Sequence, residues 1–292
     1  MSPLSLMEWK ARGHELRHRG HAIFTRSEGA LGATVLLLIH GFPTASWDWE
    51  AVWPSLAERH RVLALDMIGF GFSAKPTDYD YSILDQADLQ EAFLRAQGVG
   101  EYHVLAHDYG DTVAQELLAR QREPGERPSL RSVCFLNGGL FPETHRARFV
   151  QKLLLSPLGP AIARRSSKAQ LARSMRAIFG RATAPTPERM DGFWELMIHN
   201  GGTALLPKLI GYMPERRRHR ERWVGALQRS TVPLKLVDGG ADPVSGAHMA
   251  ERYRELVPKP DVTLLPEIGH YPQVEAPAQV LEAYFAFRRS LA

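Results

Sequence analysis

The chain has one cysteine in 292 residues, Cys134, set in the apolar run Ser132-Val133-Cys134-Phe135-Leu136. That count excludes a disulfide framework and a Cys/His metal cluster, and it leaves Cys134 as an expected buried thiol. Long hydrophobic runs are missing too. The longest, Val35 to Ile39 with its neighbours, falls far short of the roughly 20 apolar residues that cross a bilayer. The N-terminal stretch carries charges throughout, which argues against a signal peptide. The expectation is a cytoplasmic protein with no membrane insertion. Internal repeats and low-complexity tracts are absent, and nothing in the pattern calls for a metal or a cofactor.

Acidic residues are scarce in one place. Between Leu140 and Ser230 there are seventeen Lys/Arg against six Asp/Glu, a local net of +11 (17 − 6) hidden inside the formal +4 of the whole chain. The remainder therefore nets −7, and two compositions in one chain suggest two structural units. The basic run Arg216-Arg217-Arg218-His219-Arg220 is flanked by Glu215 and Glu221 and carries no interleaved aromatics for base stacking. A nucleic-acid partner is not expected, and the run reads as a solvated helix face.

What is present is an alternation of strand and helix signals. Two polar-apolar alternations around His14–His18 and Ala22–Arg26, with Gly20 between them, predict an opening antiparallel hairpin. Thr34 to Ile39 reads as a strand buried on both faces, followed by His40-Gly41-Phe42-Pro43. A helix is expected over Trp47–Arg59, a strand over Arg61–Leu65, and an amphipathic helix from Ile83 to Gln97, stopped by Gly98 and Gly100. Tyr102 to Ala106 is a strand leading into a helix that runs to about Gln121, and Arg131–Leu136 is another strand. From Leu140 to Arg229 only helical stretches appear, broken by Pro157, Pro160, Pro185 and Gly201-Gly202. The alternation resumes with Pro233–Asp238, a helix over Ala247–Leu256, the strand Val262–Leu265 and a closing helix from about Ala276. This predicts an α/β fold with a mostly parallel, doubly wound sheet: core residues 1–139 and 230–292, interrupted by a helical cap over 140–229.

Ligands of such sheets bind beyond the carboxyl ends of the strands, which shortens the list of candidate chemical groups. Asp108 lies in Ala106-His107-Asp108-Tyr109-Gly110, where a strand turns sharply into a helix between small residues. This is the layout of a nucleophile elbow, with a carboxylate where serine is usual. Asp242 follows a later strand in Gly240-Ala241-Asp242-Pro243, with Asp238 as its competitor. His270 sits in Gly269-His270-Tyr271-Pro272 after the last strand. Nucleophile, acid and histidine thus come in the chain order of the α/β-hydrolase triad. The loop His40-Gly41-Phe42-Pro43 is placed to aim the Phe42 amide at the pocket, with the Tyr109 amide as its partner in an oxyanion hole. Asp111, one turn beyond Asp108, either raises the Asp108 pKa by like-charge repulsion or lies harmlessly at the helix N-terminus, the favoured reading.

Three segments then carry a resemblance. His40-Gly-Phe-Pro, Asp66-x-x-Gly-Phe-Gly-x-Ser73 and Ala106-His-Asp-Tyr-Gly110 resemble the epoxide hydrolase and haloalkane dehalogenase branch of the α/β hydrolases. His107 to Leu117, Asn137-Gly-Gly-Leu-Phe-Pro-Glu-Thr-His145 and Arg222-Trp-Val-Gly-Ala-Leu227 are similar to the mesoderm-specific transcript protein family within it. The resemblance implies a covalent aspartyl-ester mechanism. Asp108 attacks an electrophilic carbon, and His270, oriented by Asp242, activates the water that hydrolyses the ester. The halide-binding Asn and Trp of dehalogenases are absent, their positions held by Phe42 and Tyr109. Epoxide opening is therefore the leading expectation, with haloalkane dehalogenation or ester hydrolysis as alternatives. A catalytically weak binding or signalling protein on the same fold is the reading from another class. Epoxide hydrolases protonate the ring oxygen with cap tyrosines, and here the cap offers only Tyr212, with His145, His199 or His219 as a second donor. His40, His107 and Trp223 join Tyr212 as candidate substrate-activating or pocket residues. The expected partners are a small hydrophobic electrophile and water, in a monomer or homodimer.

Overall fold

The structure, a computed structural model, describes residues 4–291. Its strands are β1 His14–His18, β2 His21–Glu28, β3 Val35–Ile39, β4 Arg61–Leu65, β5 Glu101–His107, β6 Ser129–Leu136, β7 Leu234–Gly239 and β8 Val262–Leu265. They form one eight-stranded sheet in the order β1-β2-β4-β3-β5-β6-β7-β8. The β1–β2 and β2–β4 pairs are antiparallel and every other pair is parallel. Arg19 and Gly20 close the hairpin with positive φ at both positions, the conformation a two-residue turn needs to match the strand twist. All five side chains of β3 are buried. A strand covered on both faces has no use for polar alternation, which is why its sequence is uniformly apolar.

The core helices are α1 Leu6–Ala11, α2 Trp53–Ala57, α3 Ile83–Ala96 and α4 Tyr109–Arg120. Between β6 and β7 come α5 Phe149–Leu154, α6 Gly159–Arg164, α7 Lys168–Arg176, α8 Pro187–Ile198, α9 Leu206–Leu209, α10 Tyr212–Arg218 and α11 Arg220–Gln228. The chain closes with α12 Ala247–Leu256, α13 Pro272–Glu275 and α14 Pro277–Arg289. Among the described residues no strand interrupts the segment from α5 to α11. The helix expected over Trp47–Arg59 is instead a 3-10 turn at Ser46–Trp49 followed by the short α2. Pro54 sits in the first turn of α2; lacking an N–H, it cannot continue a helix begun upstream but starts a new one well. One further helix, α1, opens on a capping box between Ser5 and Glu8.

The strand order reverses between β3 and β5, which lie side by side with Ile39 opposite Ala106. Chain leaving these two strands diverges at a topological switch point, where parallel sheets leave a crevice. The His40–Pro43 loop and the Asp108 elbow are the walls of that crevice. The Asp66-to-Ser73 motif braces it from β4. Asp66 accepts hydrogen bonds from the Ser46 amide at 2.8 Å and the Phe72 amide at 2.7 Å, and Ser73 accepts one from the Phe24 amide at 2.9 Å.

Candidate active site

Asp108 stands between β5 and α4 with φ 49° and ψ −106°, a left-handed conformation that a non-glycine residue adopts only when its surroundings impose it. The imposition comes from packing. A Cβ on Gly110 would lie 2.4 Å from the Ile39 carbonyl oxygen and 2.7 Å from that of His40. Only glycine lets the first turn of α4 approach the end of β3 so closely. The strained turn carries the Asp108 side chain to the carboxyl edge of the sheet. There the Phe42 amide donates to Oδ2 at 3.0 Å. Tyr109 is the first residue of α4, so its amide is among those a helix start leaves without an intrahelical acceptor.

His270 faces the other carboxylate oxygen. Its Nε2 lies 3.9 Å from Asp108 Oδ1, and its Nδ1 donates to Asp242 Oδ2 at 2.7 Å. The first distance is too long for a direct hydrogen bond but suits an imidazole that acts on a water between them. The second fixes the ring orientation and its tautomer. Asp238, the competing acid, is buried with neither carboxylate oxygen hydrogen-bonded, and burial raises its pKa well above the usual range. Asp242 is the acid that holds the histidine. It also accepts from the Val244 amide at 2.8 Å, the Ser245 hydroxyl at 2.9 Å and the Asn137 side-chain amide at 3.1 Å. Burial alone would favour its neutral form, but His270 and these donors hold its pKa below the ordinary value.

The charge state of the centre follows. Burial opposes ionisation of Asp108, yet His270 and Arg216 outweigh it and hold the carboxyl below the usual range. Burial likewise opposes a charge on His270, but Asp242 and Asp108 together raise its pKa well above the ordinary value. The resting site is thus an imidazolium between two carboxylates. Asp111 lies in the first turn of α4, as expected, but not as a charged group. It is fully buried, neither oxygen has a hydrogen-bond partner among the described residues, and burial followed by the Asp108 charge pushes its pKa well above the ordinary value. It packs against Gly138, where a Cβ would come within 2.1 Å of Oδ2. Of two neighbouring carboxyls the one without partners takes the proton, and Asp108 keeps its charge.

The remaining candidates separate. His40 is buried and satisfied at both nitrogens: Nδ1 donates to the Gly41 carbonyl at 2.9 Å, and Nε2 accepts from the Met67 amide at 3.0 Å. It braces the loop and has no donor left for a substrate. His107 donates from Nε2 to the His270 carbonyl at 2.7 Å and is kept neutral, its pKa lowered to about 3 by burial and by His270. It positions the histidine loop. Trp223 does not reach the site; its indole donates to Glu116 at 2.8 Å. His199 stacks edge-on against Phe72, and His219 lies against Trp223. Tyr212 is buried, packs its ring 5.0 Å from Tyr109 and 6.0 Å from Phe42, and its hydroxyl has no hydrogen-bond partner among the described residues. Burial, then the Asp108 charge, raises its pKa, so the phenol is neutral and close enough to feel the nucleophile.

Two residues escaped the sequence reading. Arg216, expected on a solvated face, is 2% exposed. Its Nη2 donates to the Asp108 carbonyl at 3.0 Å and lies 4.0 Å from Oδ1, while Nε donates to Thr112 at 2.6 Å. Arg217 and Arg218 are exposed, as that reading held. The signal was spacing: Arg216 follows Tyr212 by four residues and so shares its helix face. Asn137 is the second, with φ 41° at the end of β6. His145 lies beside Arg216, with both ring nitrogens unpaired and its pKa lowered to about 4 by burial and then by the arginine.

A cavity of about 560 Å³ connects Asp108 and His270 to the cap surface. Leu154, Ile162, Leu171, Met175, Met197 and Leu206 line it, a mostly apolar wall with its reactive groups at the inner end, in the size range of small-molecule sites.

Comparison with known proteins identifies the family and the fold. Residues 34–277 match the family described as alpha/beta hydrolase fold. The mesoderm-specific transcript protein of Mus musculus is 40% identical over 99% of this chain and 89% of its own length. Among solved structures, the haloalkane dehalogenase DbeA from Bradyrhizobium elkani superposes with a TM-score of 0.79 at 24% identity, covering 96% of this chain and 98% of that one. An epoxide hydrolase superposes with a TM-score of 0.78 at 18% identity, covering 96% and 99%. At these identities the two structures share the fold.

Proposed function

Since the chain belongs to the alpha/beta hydrolase fold family, in the group of the mesoderm-specific transcript protein, we propose that it opens epoxides to diols through a covalent ester on Asp108. The observation that carries this reading is the division of labour at one carboxylate: Oδ2 is held by the Phe42 amide at 3.0 Å, while Oδ1 is left toward the cavity and His270.

Oδ1 attacks an epoxide carbon, the carbon–oxygen bond of the ring breaks, and the ring oxygen takes the Tyr212 proton. Ester formation removes the Asp108 charge, one of the two that raise the His270 pKa. The imidazole gives up its proton to the Tyr212 phenolate and becomes a base at the step that needs one. It then takes a proton from water as the water oxygen adds to the Asp108 carbonyl carbon. The oxyanion that forms lies at the Phe42 and Tyr109 amides. Collapse expels the diol alkoxide, which His270 protonates. The proton left on the Asp108 acid then passes to His270, restoring carboxylate and imidazolium, and the balance is epoxide plus water to diol. The unpaired Tyr212 hydroxyl supports an epoxide over an alkyl halide, which needs no proton. The side chains at 42 and 109, an unsubstituted ring and a phenol, supply no pair of N–H donors for a halide.

The test is a trap. A His270→Gln variant incubated with terminal epoxides and alkyl halides is expected to gain the mass of one opened epoxide on the Asp108 peptide. Tyr212→Phe is expected to slow that gain about a hundredfold. Mass added from halides alone, or no adduct from either panel, overturns the proposal.

A further inference from the structure

The outer end of the cavity lies among exposed apolar side chains. Four of the eight exposed large hydrophobics among the described residues, Phe149, Val150, Leu155 and Leu158, fall within ten consecutive positions on α5 and the turn that leads into α6. Phe149 is 75% and Leu158 65% exposed, and Phe149 and Val150 themselves line the cavity that ends at Asp108. Singly scattered surface hydrophobics need no explanation; a cluster at a cavity mouth does.

The charges around the cluster are of one sign. From Thr144 to Pro187 the sequence contains nine Lys/Arg and no Asp or Glu, and all nine of these cations are exposed. Among the described residues only Lys168 has an acidic partner, Asp191. Exposed apolar side chains in a stretch whose exposed charges are all cationic and mostly unpaired match a surface that is greasy below and negative above.

We propose that the α5–α6 face of the cap docks on an anionic lipid surface, seating the cavity mouth against the bilayer. Phe149, Val150, Leu155 and Leu158 enter the boundary between headgroups and acyl chains. Arg148, Lys152, Arg164 and Arg165 meet the lipid phosphates. An apolar substrate dissolved in the membrane then reaches Asp108 through the cavity without crossing water. That delivery rests on the reaction proposed above; the docking itself does not.

The test sediments the full chain with vesicles of phosphatidylcholine alone and of phosphatidylcholine mixed with phosphatidylglycerol. Two variants outside the cavity lining are compared with it, Leu158→Glu and the double change Arg164→Glu with Arg165→Glu. The parent is expected to bind the mixed vesicles, to bind phosphatidylcholine weakly, and to release as salt rises. Each variant is expected to lower partitioning about tenfold, with an unchanged thermal melt and unchanged turnover of a water-soluble epoxide. Equal sedimentation with and without phosphatidylglycerol, or variants that bind like the parent, overturns the proposal. So does a concentration-dependent dimer in vesicle-free sedimentation velocity that Leu158→Glu abolishes, since the face then belongs to a second copy. Vesicle binding is read without substrate, so its failure is distinct from a failure of the chemistry.

Discussion

The two halves of the helical segment, residues 140–184 and 185–229, carry seven arginines each, but the first has one acidic residue and the second five. In the second half several cations meet acceptors: Arg216 reaches the Asp108 carbonyl, Arg222 donates to Glu116 at 2.6 and 2.8 Å, and Arg220 pairs with Glu143 at 2.6 Å, while Arg217 and Arg218 stay exposed. Trp223 donates to the same Glu116, and α11 packs along α4. In the first half the cations face outward around an apolar patch and the end of the cavity. The second half thus includes a clamp that ties α10 and α11 to α4 and the Asp108 backbone, whereas among the described residues the first half's cations other than Lys168 have no acidic partner. The five acidic residues of the second half mark the difference in the sequence, and the acceptors opposite individual guanidinium groups show it in the fold.

Breaking the clamp at its inner end should cost most. Arg216→Met removes a donor to the Asp108 backbone and one of the charges that keep the carboxylate ionised. Turnover is expected to fall about a hundredfold in kcat with KM little changed, measured on an epoxide that the parent hydrolyses. Arg218→Met, two residues away and exposed, should leave both constants alone. Equal losses in the two variants would erase the distinction between inward and outward cations.

Next in size comes the buried carboxylate of the clamp. Glu116→Gln leaves the Arg222 and Trp223 donors facing a neutral amide, and a loss of about 2–4 kcal/mol is expected in denaturant unfolding. The Arg164→Glu and Arg165→Glu double variant in the outward half should stay within about 0.5 kcal/mol of the parent. A similar loss in both would mean that the first half also bears on the core.

The smallest effect belongs to the core beneath the clamp. Asp111 has a folded pKa raised above its unfolded value, so the stability it confers is complete below about pH 4 and declines as pH rises toward the folded pKa. Asp111→Asn keeps a neutral group of the same shape and removes the linkage. Thermal melts from acid to neutral pH should therefore fall less steeply in the variant than in the parent. Parallel curves would show that Asp111 is ionised in the fold.

Much of this was legible in the chain. The apolar run of β3, the Gly20 turn and the small residues around Asp108 are local signals, and strand ends in a parallel sheet expose only a few polar side chains to choose among. The order Asp108, Asp242, His270 and the loop at Phe42 followed from that. The Ser5-to-Glu8 capping box that starts α1 was equally local and went unread, as did the helix restart at Pro54. The rest was hidden for physical reasons. A run of four arginines and a histidine does not reveal which guanidinium is buried until the phase of α10 is fixed, and Tyr212 fixes it only once its own ring is known to face Phe42 and Tyr109. Choosing Asp242 over Asp238 needed the 2.7 Å contact with His270. Trp223 shared a motif with the site but not a location, because α11 points it at Glu116.

The central claim is that an oxygen of Asp108 bonds to substrate carbon. A single turnover with enzyme in excess over epoxide, run in water enriched in heavy oxygen, tests it most directly. The account predicts heavy oxygen in the Asp108 carboxylate and ordinary oxygen in the diol. Heavy oxygen in the diol with an unlabelled Asp108 would contradict it.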